Sequence, residues 1–321
     1  MQSFELLSQK FALRFEQRHF PEQPSTLYEP GQYFLQMGGK RIRPALCLMG
    51  NELFDEINPD AWHVATAIEL FHNFSLIHDD IMDKAPLRRN METLHKKFGE
   101  STALLAGDVM LVKAYEYLNK IHTSYLHQIL YLFNQTAKEV CEGQQYDMDF
   151  EKQETIRLDE YIEMIKLKTS VLLGASLKMG AILGGAGERN QNLLYEFGKK
   201  LGIAFQIQDD YLDAFGDPKK FGKQVGGDIL ANKKTFLLIH ALEVATETQK
   251  KELKTLLQNN TKDKVEKMLR LFRNSKIDEW ALQLKNKFLD EALIHLEDIA
   301  VLSKRKEPLR DVAHFLVARD H

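Results

Sequence analysis

Apolar residues recur along most of this chain every three to four positions, and alternating β-branched runs are scarce. That is the period of amphipathic helices rather than strands. The pattern predicts a first helix over residues 1–20, closed by Pro21 and Pro24. A second starts near Gln32, after Pro30-Gly31, and reaches Gly38-Gly39. Lys40-Arg41-Ile42-Arg43-Pro44 opens a third, running through Met49. Pro59 starts a long apolar helix that reaches Met82, and Gly107-Asp108 opens another that ends near Ile121. Helical spacing continues over residues 123–149, 159–185 and 191–213. The stretch from Gly216-Asp217-Pro218 to Gly226-Gly227 is rich in glycine and lysine (Lys219, Lys220, Lys223) and reads as a mobile cationic lid. After the apolar run Phe236–Leu242, residues from Thr246 onward read as peripheral amphipathic helices. The expectation is an all-α protein with a single domain over residues 1–321, its core at about 30–240, and no Ser/Gly-rich linker.

Composition narrows the function classes. Hydrophobic residues make up 44% of 321, ample for a buried core, and the formal net charge of −3 gives no basis for general nucleic-acid affinity. Cys47 and Cys141 lie in apolar helical contexts without metal-ligand spacing, which suits free thiols in a reducing compartment. No apolar run approaches the roughly 20 residues that span a bilayer, and residues 1–10 lack a signal-peptide core. A cytoplasmic protein without a transmembrane segment is expected.

The chemistry lies in a carboxylate spacing that occurs twice. Asp79-Asp80-Ile81-Met82-Asp83 and Asp209-Asp210-Tyr211-Leu212-Asp213 each end a long apolar helix. Residues four apart project from one helix face, so Asp79 points with Asp83, and Asp209 with Asp213. One such triplet reads equally well as a solvated helix end. Two, with matching apolar flanks, argue for hard divalent cations, and Mg2+ commonly bridges a few carboxylates to substrate phosphates. An EF-hand is excluded, because its loop needs alternating ligands, a central Gly and a distal Glu. Gln206 joins Asp209, Asp210 and Asp213 on one polar stripe. Gly38-Gly39 followed by Lys40, Arg41 and Arg43 at a helix start is either an anion site or a basic turn. Arg88-Arg89 are either charge compensation or bidentate phosphate clamps. His72, two turns before Asp80, is either a packed core residue or a neighbour of the site. No Ser-His-Asp or Cys-His arrangement is apparent.

Together these residues resemble the trans-prenyltransferases, the head-to-tail isoprenyl diphosphate synthases, over roughly residues 30–240. The matching segments run in family order. They are Gly38–Pro44, Leu76–Asp83 with Arg88-Arg89, Gly143-Gln144 with Asp147, Lys168-Thr169, Phe205–Asp213, and Phe221-Gly222-Lys223 through Gly226-Gly227-Asp228 to Lys233. The resemblance implies an all-helical fold around one deep cavity, usually a homodimer. It implies that isopentenyl diphosphate condenses with an allylic diphosphate (dimethylallyl, geranyl or farnesyl). By the same resemblance Lys40, Arg43, His72 and Arg89 hold the isopentenyl diphosphate group, and Arg88, Lys168, Lys223 and Lys233 the allylic one. Asp79, Asp80 and Asp83 on one side, and Asp209, Asp210 and Asp213 on the other, bind about three Mg2+ ions. Thr169 and Gln206 lie beside the allylic C–O bond.

Product length is read from the helix before the first triplet. Phe71, Ser75, Asp79 and Asp83 form one stripe with Phe74 at its edge, Phe74 about 7 Å and Phe71 about 12 Å behind Asp79. Aromatic rings there close the path of the growing chain, unless they face other helices. Bulky Phe74 beside small Ser75, with no insertion inside the triplet, resembles the C20 type, with C15 as the alternative. A class I terpene cyclase and a non-catalytic partner subunit are the rivals. Cyclases typically replace the second Asp triplet, and partner subunits tend to lose one or both; this chain keeps both.

Overall fold

The computed structural model describes residues 1–216, 226–259 and 261–318. Its elements in order are α1 (Phe4–Phe15), α2 (Ser25–Gln36), α3 (Ile42–Glu52), α4 (Pro59–Met82), a hairpin of β1 (Leu87–Arg88) and β2 (Met91–Glu92), α5 (Leu94–Phe98) and α6 (Glu100–Leu118). Then follow α7 (Thr123–Lys152), α8 (Leu158–Ile165), a π-helical turn (Lys166–Ser170), α9 (Val171–Leu183) and α10 (Glu188–Phe215). After the undescribed residues 217–225 come α11 (Gly227–Leu230), α12 (Phe236–Val244), α13 (Glu247–Gln258), α14 (Lys264–Asn274), α15 (Ile277–Glu297) and α16 (Ser303–Ala318). The hairpin is the only sheet among the described residues, so the expected all-α class holds. No helix among them is long and apolar enough to cross a membrane.

Contacts gather the chain into two compact units. The first comprises Met1–Phe133, Ala175–Asn192 and Ala300–Pro308, and α4 is its spine. Asn58 caps α4 by accepting from the Asp60 N–H at 2.9 Å, Pro59 supplies a first residue that needs no donor, and Asp60 favours the positive helix end. Val64, Ile68, Leu70, Phe71 and Ile77 are buried on α4. Burial of each large side chain stabilises the fold by about 1.5–3 kcal/mol. Phe4, Leu7, Phe11 and Phe15 make the buried stripe of α1.

Three boundaries differ from the sequence expectation by more than a helical turn. The first helix ends at Phe15, not residue 20, and the following His19 and Phe20 are buried in the loop instead. The second helix begins before Pro30 rather than after it; Pro30 and Gly31 lie buried inside α2, with the Phe20 ring packed on Gly31. The helix assigned to Gly107-Asp108 starts at Glu100, because Gly99, at φ +88°, is the residue that breaks the chain direction. Gly107 is interior to α6.

The second unit comprises Asn134–Gly174, Leu193–Ile299 and Leu309–His321. Leu253 and Leu256 of α13, Met268, Leu271 and Phe272 of α14, and Phe288 of α15 supply buried stripes on these otherwise charged helices. An aromatic chain runs from Tyr161 to Phe236 (6.2 Å), to Trp280 (5.8 Å) and to His240 (3.7 Å, stacked).

In the first unit, burial lowers the pKa of His19, whose imidazole bonds Tyr117 Oη at 2.8 Å and the Phe15 carbonyl at 2.9 Å. The unfolded chain therefore binds the proton more readily, so His19 costs stability as pH falls below about 6.5. Urea unfolding at pH of about 7 and about 5 is expected to show lower stability at the acid end. The loss is smaller in His19→Asn.

Candidate active site

In the first unit the acidic end of α4 is built by its own termination. The Asp83 N–H closes the last turn onto the Asp79 carbonyl at 2.8 Å, and Lys84 then takes φ +51° and turns the chain back. The hairpin that follows joins Arg88 to Met91 across Arg89-Asn90, both at positive φ (51° and 63°). A two-residue loop with both central residues left-handed is the type I′ geometry, which Asn90 adopts readily and Arg89 does not. It delivers Arg88 onto the buried Asp80. Nε donates to Oδ1 and Oδ2 at 2.9 and 2.8 Å, and one terminal nitrogen lies 2.8 Å from Oδ1. Asp79 is half-buried and Asp83 exposed. Arg89 donates to the Gly38 carbonyl, so the basic loop and the hairpin meet.

The basic loop divides its cations. Arg41, at φ +49° before α3, turns inward: it pairs with Glu69 at 2.5 Å, donates to the Leu35 carbonyl at 3.3 Å, and covers the Phe15 ring at 4.7 Å. Arg43 contacts His72 Nε2 at 3.1 Å, and burial holds its guanidinium at a pKa of about 10, below the usual range. Its Nε is buried without a hydrogen-bond partner. Burial, and then Arg43, Arg89, Arg88 and Arg41, push the His72 imidazole well below its ordinary pKa, so it is neutral near pH 7. Lys40 is exposed, and its carbonyl accepts from Ser8 Oγ at 3.1 Å. A buried arginine nitrogen with an unmet donor, beside a neutral imidazole and further cations, is a fitting cradle for a polyanion.

Behind the acidic end, Phe71 is buried edge-to-face on Phe133 (5.3 Å) and contacts Phe74 at 5.7 Å. Phe74 is half-buried, and Ser75 Oγ donates to the His72 carbonyl at 2.9 Å.

In the second unit α10 carries the other triplet. Asp210 is buried; Tyr161 donates to its Oδ2, and Gln206 Nε2 to its Oδ1 at 3.0 Å. The Asp210 carboxyl is raised to about 6, chiefly by burial and then by Asp228, against the lowering pull of Lys233, Tyr161 and Gln206. Asp213 accepts from the Asp228 N–H at 2.9 Å, and burial followed by Asp228 raises its pKa also. Asp209 is half-buried and Lys233 exposed. Lys168 pairs with Asp147 at 2.6 Å, and Thr169 Oγ1 donates to Gln206 Oε1 at 3.3 Å. Lys168 and Thr169 sit in the π turn, a local widening frequent at functional sites. The turn packs tightly on α7, where a Cβ on Gly143 would lie 2.2 Å from the Lys168 backbone nitrogen. Lys223, and the lid expected around it, lie outside the described residues.

The structure thus joins Asp80, Arg88, Arg89, Arg43 and His72 in one unit, and Lys168, Thr169, Gln206, Asp210, Asp213 and Lys233 in the other. Tyr161 and Glu69 are participants that the sequence spacing does not single out; Tyr161 is 49 residues from Asp210. Among the described residues no three acidic, imidazole or thiol side chains converge as a ready metal cage. The donor set nevertheless suits Mg2+: all-oxygen ligands, few per ion, with Asp210 and Asp213 carrying raised pKa values that a cation would reverse.

The chain is similar to known proteins over most of its length. The polyprenyl synthetase family matches residues 24–273. The short chain isoprenyl diphosphate synthase of Methanocaldococcus jannaschii is 42% identical over 250 residues, 77% of this chain and 76% of that one. The geranylgeranyl diphosphate synthase of Saccharolobus solfataricus is 38% identical over 301 residues, 92% and 90% of the two chains. A crystal structure of a geranylgeranyl pyrophosphate synthase superposes with a TM-score of 0.93 at 41% identity, covering 99% of each chain.

Proposed function

The chain belongs to the polyprenyl synthetase family, and we propose that it condenses isopentenyl diphosphate with an allylic diphosphate to give all-trans geranylgeranyl diphosphate. The observation that carries the reading is the cationic cradle around Arg43. Its buried Nε has an unmet donor, with His72 and Arg89 beside it. A diphosphate satisfies that donor; a neutral hydrocarbon does not. The names of several archaeal relatives, geranylgeranyl diphosphate synthases, support the C20 length.

In this reading Lys40, Arg43, His72 and Arg89 hold the isopentenyl diphosphate. Neutral His72 donates one N–H to a phosphate oxygen or accepts from Arg43, without adding charge. Arg88, Lys168 and Lys233, with Lys223, hold the allylic diphosphate. Asp79, Asp80, Asp83, Asp209, Asp210 and Asp213 would hold Mg2+, which neutralises charge on the departing diphosphate. As the allylic C–O bond breaks, Thr169 and Gln206, already linked, present oxygens to the developing cation. Tyr161 fixes Asp210, and Arg88 fixes Asp80, so both carboxylates are oriented before substrate arrives. The isopentenyl double bond attacks the cation, and a proton is lost to the released diphosphate. No protein nucleophile is needed.

Incubating labelled isopentenyl diphosphate with dimethylallyl, geranyl or farnesyl diphosphate and sizing the products tests the reading. A C20 diphosphate is expected; C15 alone, a cyclised hydrocarbon, or no product contradicts it. Phe74 closes the growth path in this reading, so Phe74→Ala is expected to shift products beyond C20. An unchanged length removes Phe74 from that role.

We also propose a homodimer. Leu104, Leu105, Val112 and Tyr115 fall on one face of α6 and are 37–57% exposed, an apolar stripe that a monomer rarely leaves open. Sedimentation is expected to give about twice 37.1 kDa, and Val112→Glu to give the monomer mass.

A further inference from the structure

The Phe74 ring does not stand alone. It lies edge-to-face on His78, one helical turn toward the acidic end, with centroids 4.7 Å apart. His78 in turn is docked on α6: its Nε2 lies 3.2 Å from the Leu104 carbonyl, as donor, and 3.7 Å from Asp108 Oδ1. The dock exists because residue 107 has no side chain. A Cβ on Gly107 would come within 2.4 Å of His78 Nε2 and 2.6 Å of Cδ2, and no other residue crowds that position. Gly107 lies in the middle of a regular helix with no positive φ. Glycine weakens such a helix, so backbone conformation does not explain it. Space for the imidazole does.

We infer that Gly107 and His78 are positioning residues for product length: Gly107 seats His78, and His78 holds the Phe74 ring across the path of the growing chain. The inference rests on the reading that Phe74 closes that path. Neither residue needs to touch the reacting atoms. A methyl at 107 must displace the imidazole, which forfeits the Leu104 bond and leaves one side of Phe74 without its neighbour. The ring is then free to turn, and the barrier loosens although Phe74 is still present.

The test compares Phe74→Ala, Gly107→Ala, His78→Ala and the double variant His78→Ala/Gly107→Ala, all in the full chain. Product length from farnesyl diphosphate and isopentenyl diphosphate is read beside the melting temperature. Gly107→Ala favours its helix, so the fold is kept. The expected result is a severalfold rise in products longer than C20 for Phe74→Ala, Gly107→Ala and His78→Ala. Gly107→Ala should have no further effect once His78 is gone, because residues acting through one contact are not additive. A purely structural role would lower rate without moving length. If Phe74→Ala lengthens products and Gly107→Ala does not, the seat is overturned while the product-length reading stands. Equal lengthening by Gly107→Ala with and without His78 overturns it too. If Phe74→Ala leaves length unchanged, the product-length reading falls and the inference falls with it.

Discussion

Asp79→Ala is expected to lower kcat by about a thousandfold or more while leaving the fold intact. Asp79 is half-buried at the last turn of α4, and its backbone carbonyl, not its carboxylate, closes that turn by accepting from the Asp83 N–H. The helix therefore survives the substitution. In the proposed reaction, what is lost is one oxygen donor for the Mg2+ that would neutralise the departing diphosphate. Stabilisation of a departing charge is felt only in the transition state, so the loss appears in kcat more than in KM. Steady-state rates across a Mg2+ titration, with circular dichroism for the fold, check both halves. Turnover close to wild type would remove the first triplet from the chemistry. Asp80→Ala is a poorer probe, because it strands the Arg88 guanidinium that Asp80 accepts from.

The acidic triplets, the basic loop and most helices are legible in the sequence because each depends on spacing within one element. A helix period says which residues share a face, and Gln206, Asp209, Asp210 and Asp213 do share one. It does not say what a distant element brings to that face. Tyr161 reaches Asp210 from α8, and Arg88 reaches Asp80 only because two residues in left-handed conformation turn the hairpin tightly. The π turn under Lys168 and Thr169 has no period to betray it, since it adds one residue to an otherwise regular helix. Gly107 misleads in the opposite direction. Read locally, a glycine before an aspartate starts a helix; in the structure Gly99 does that, and Gly107 makes room for a side chain of another helix. Pro30 misleads likewise, for burial of Pro30 and Gly31 outweighs the lost donor.

The two arginines of Lys40-Arg41-Ile42-Arg43 are equivalent in the sequence and opposite in the structure, and their removal should separate cleanly. Arg41 and Glu69 have side chains 8% and 3% exposed and face each other at 2.5 Å. Arg41→Met leaves the buried Glu69 carboxylate without its ion-pair partner, with Asn73 Nδ2 as a donor at 3.3 Å and Arg43 and Arg89 as more distant charges. Breaking one side of a buried pair costs about 3–5 kcal/mol, enough to lower the urea midpoint visibly in a protein of ordinary stability. Arg43 contacts the neutral His72, has Glu69 as a more distant counter-charge, and carries an unmet Nε. Burial outweighs the attraction of Glu69 and lowers its pKa, so Arg43→Met should cost far less stability than Arg41→Met, or raise it. In the proposed function the same substitution removes charge-assisted bonds to substrate, worth about 3 kcal/mol, or roughly a hundredfold in affinity for isopentenyl diphosphate. The expected pattern is a stability loss in Arg41→Met and a KM rise in Arg43→Met. If both variants raise KM alike without loss of stability, Arg41 binds substrate, and its pairing with Glu69 is not what holds the loop.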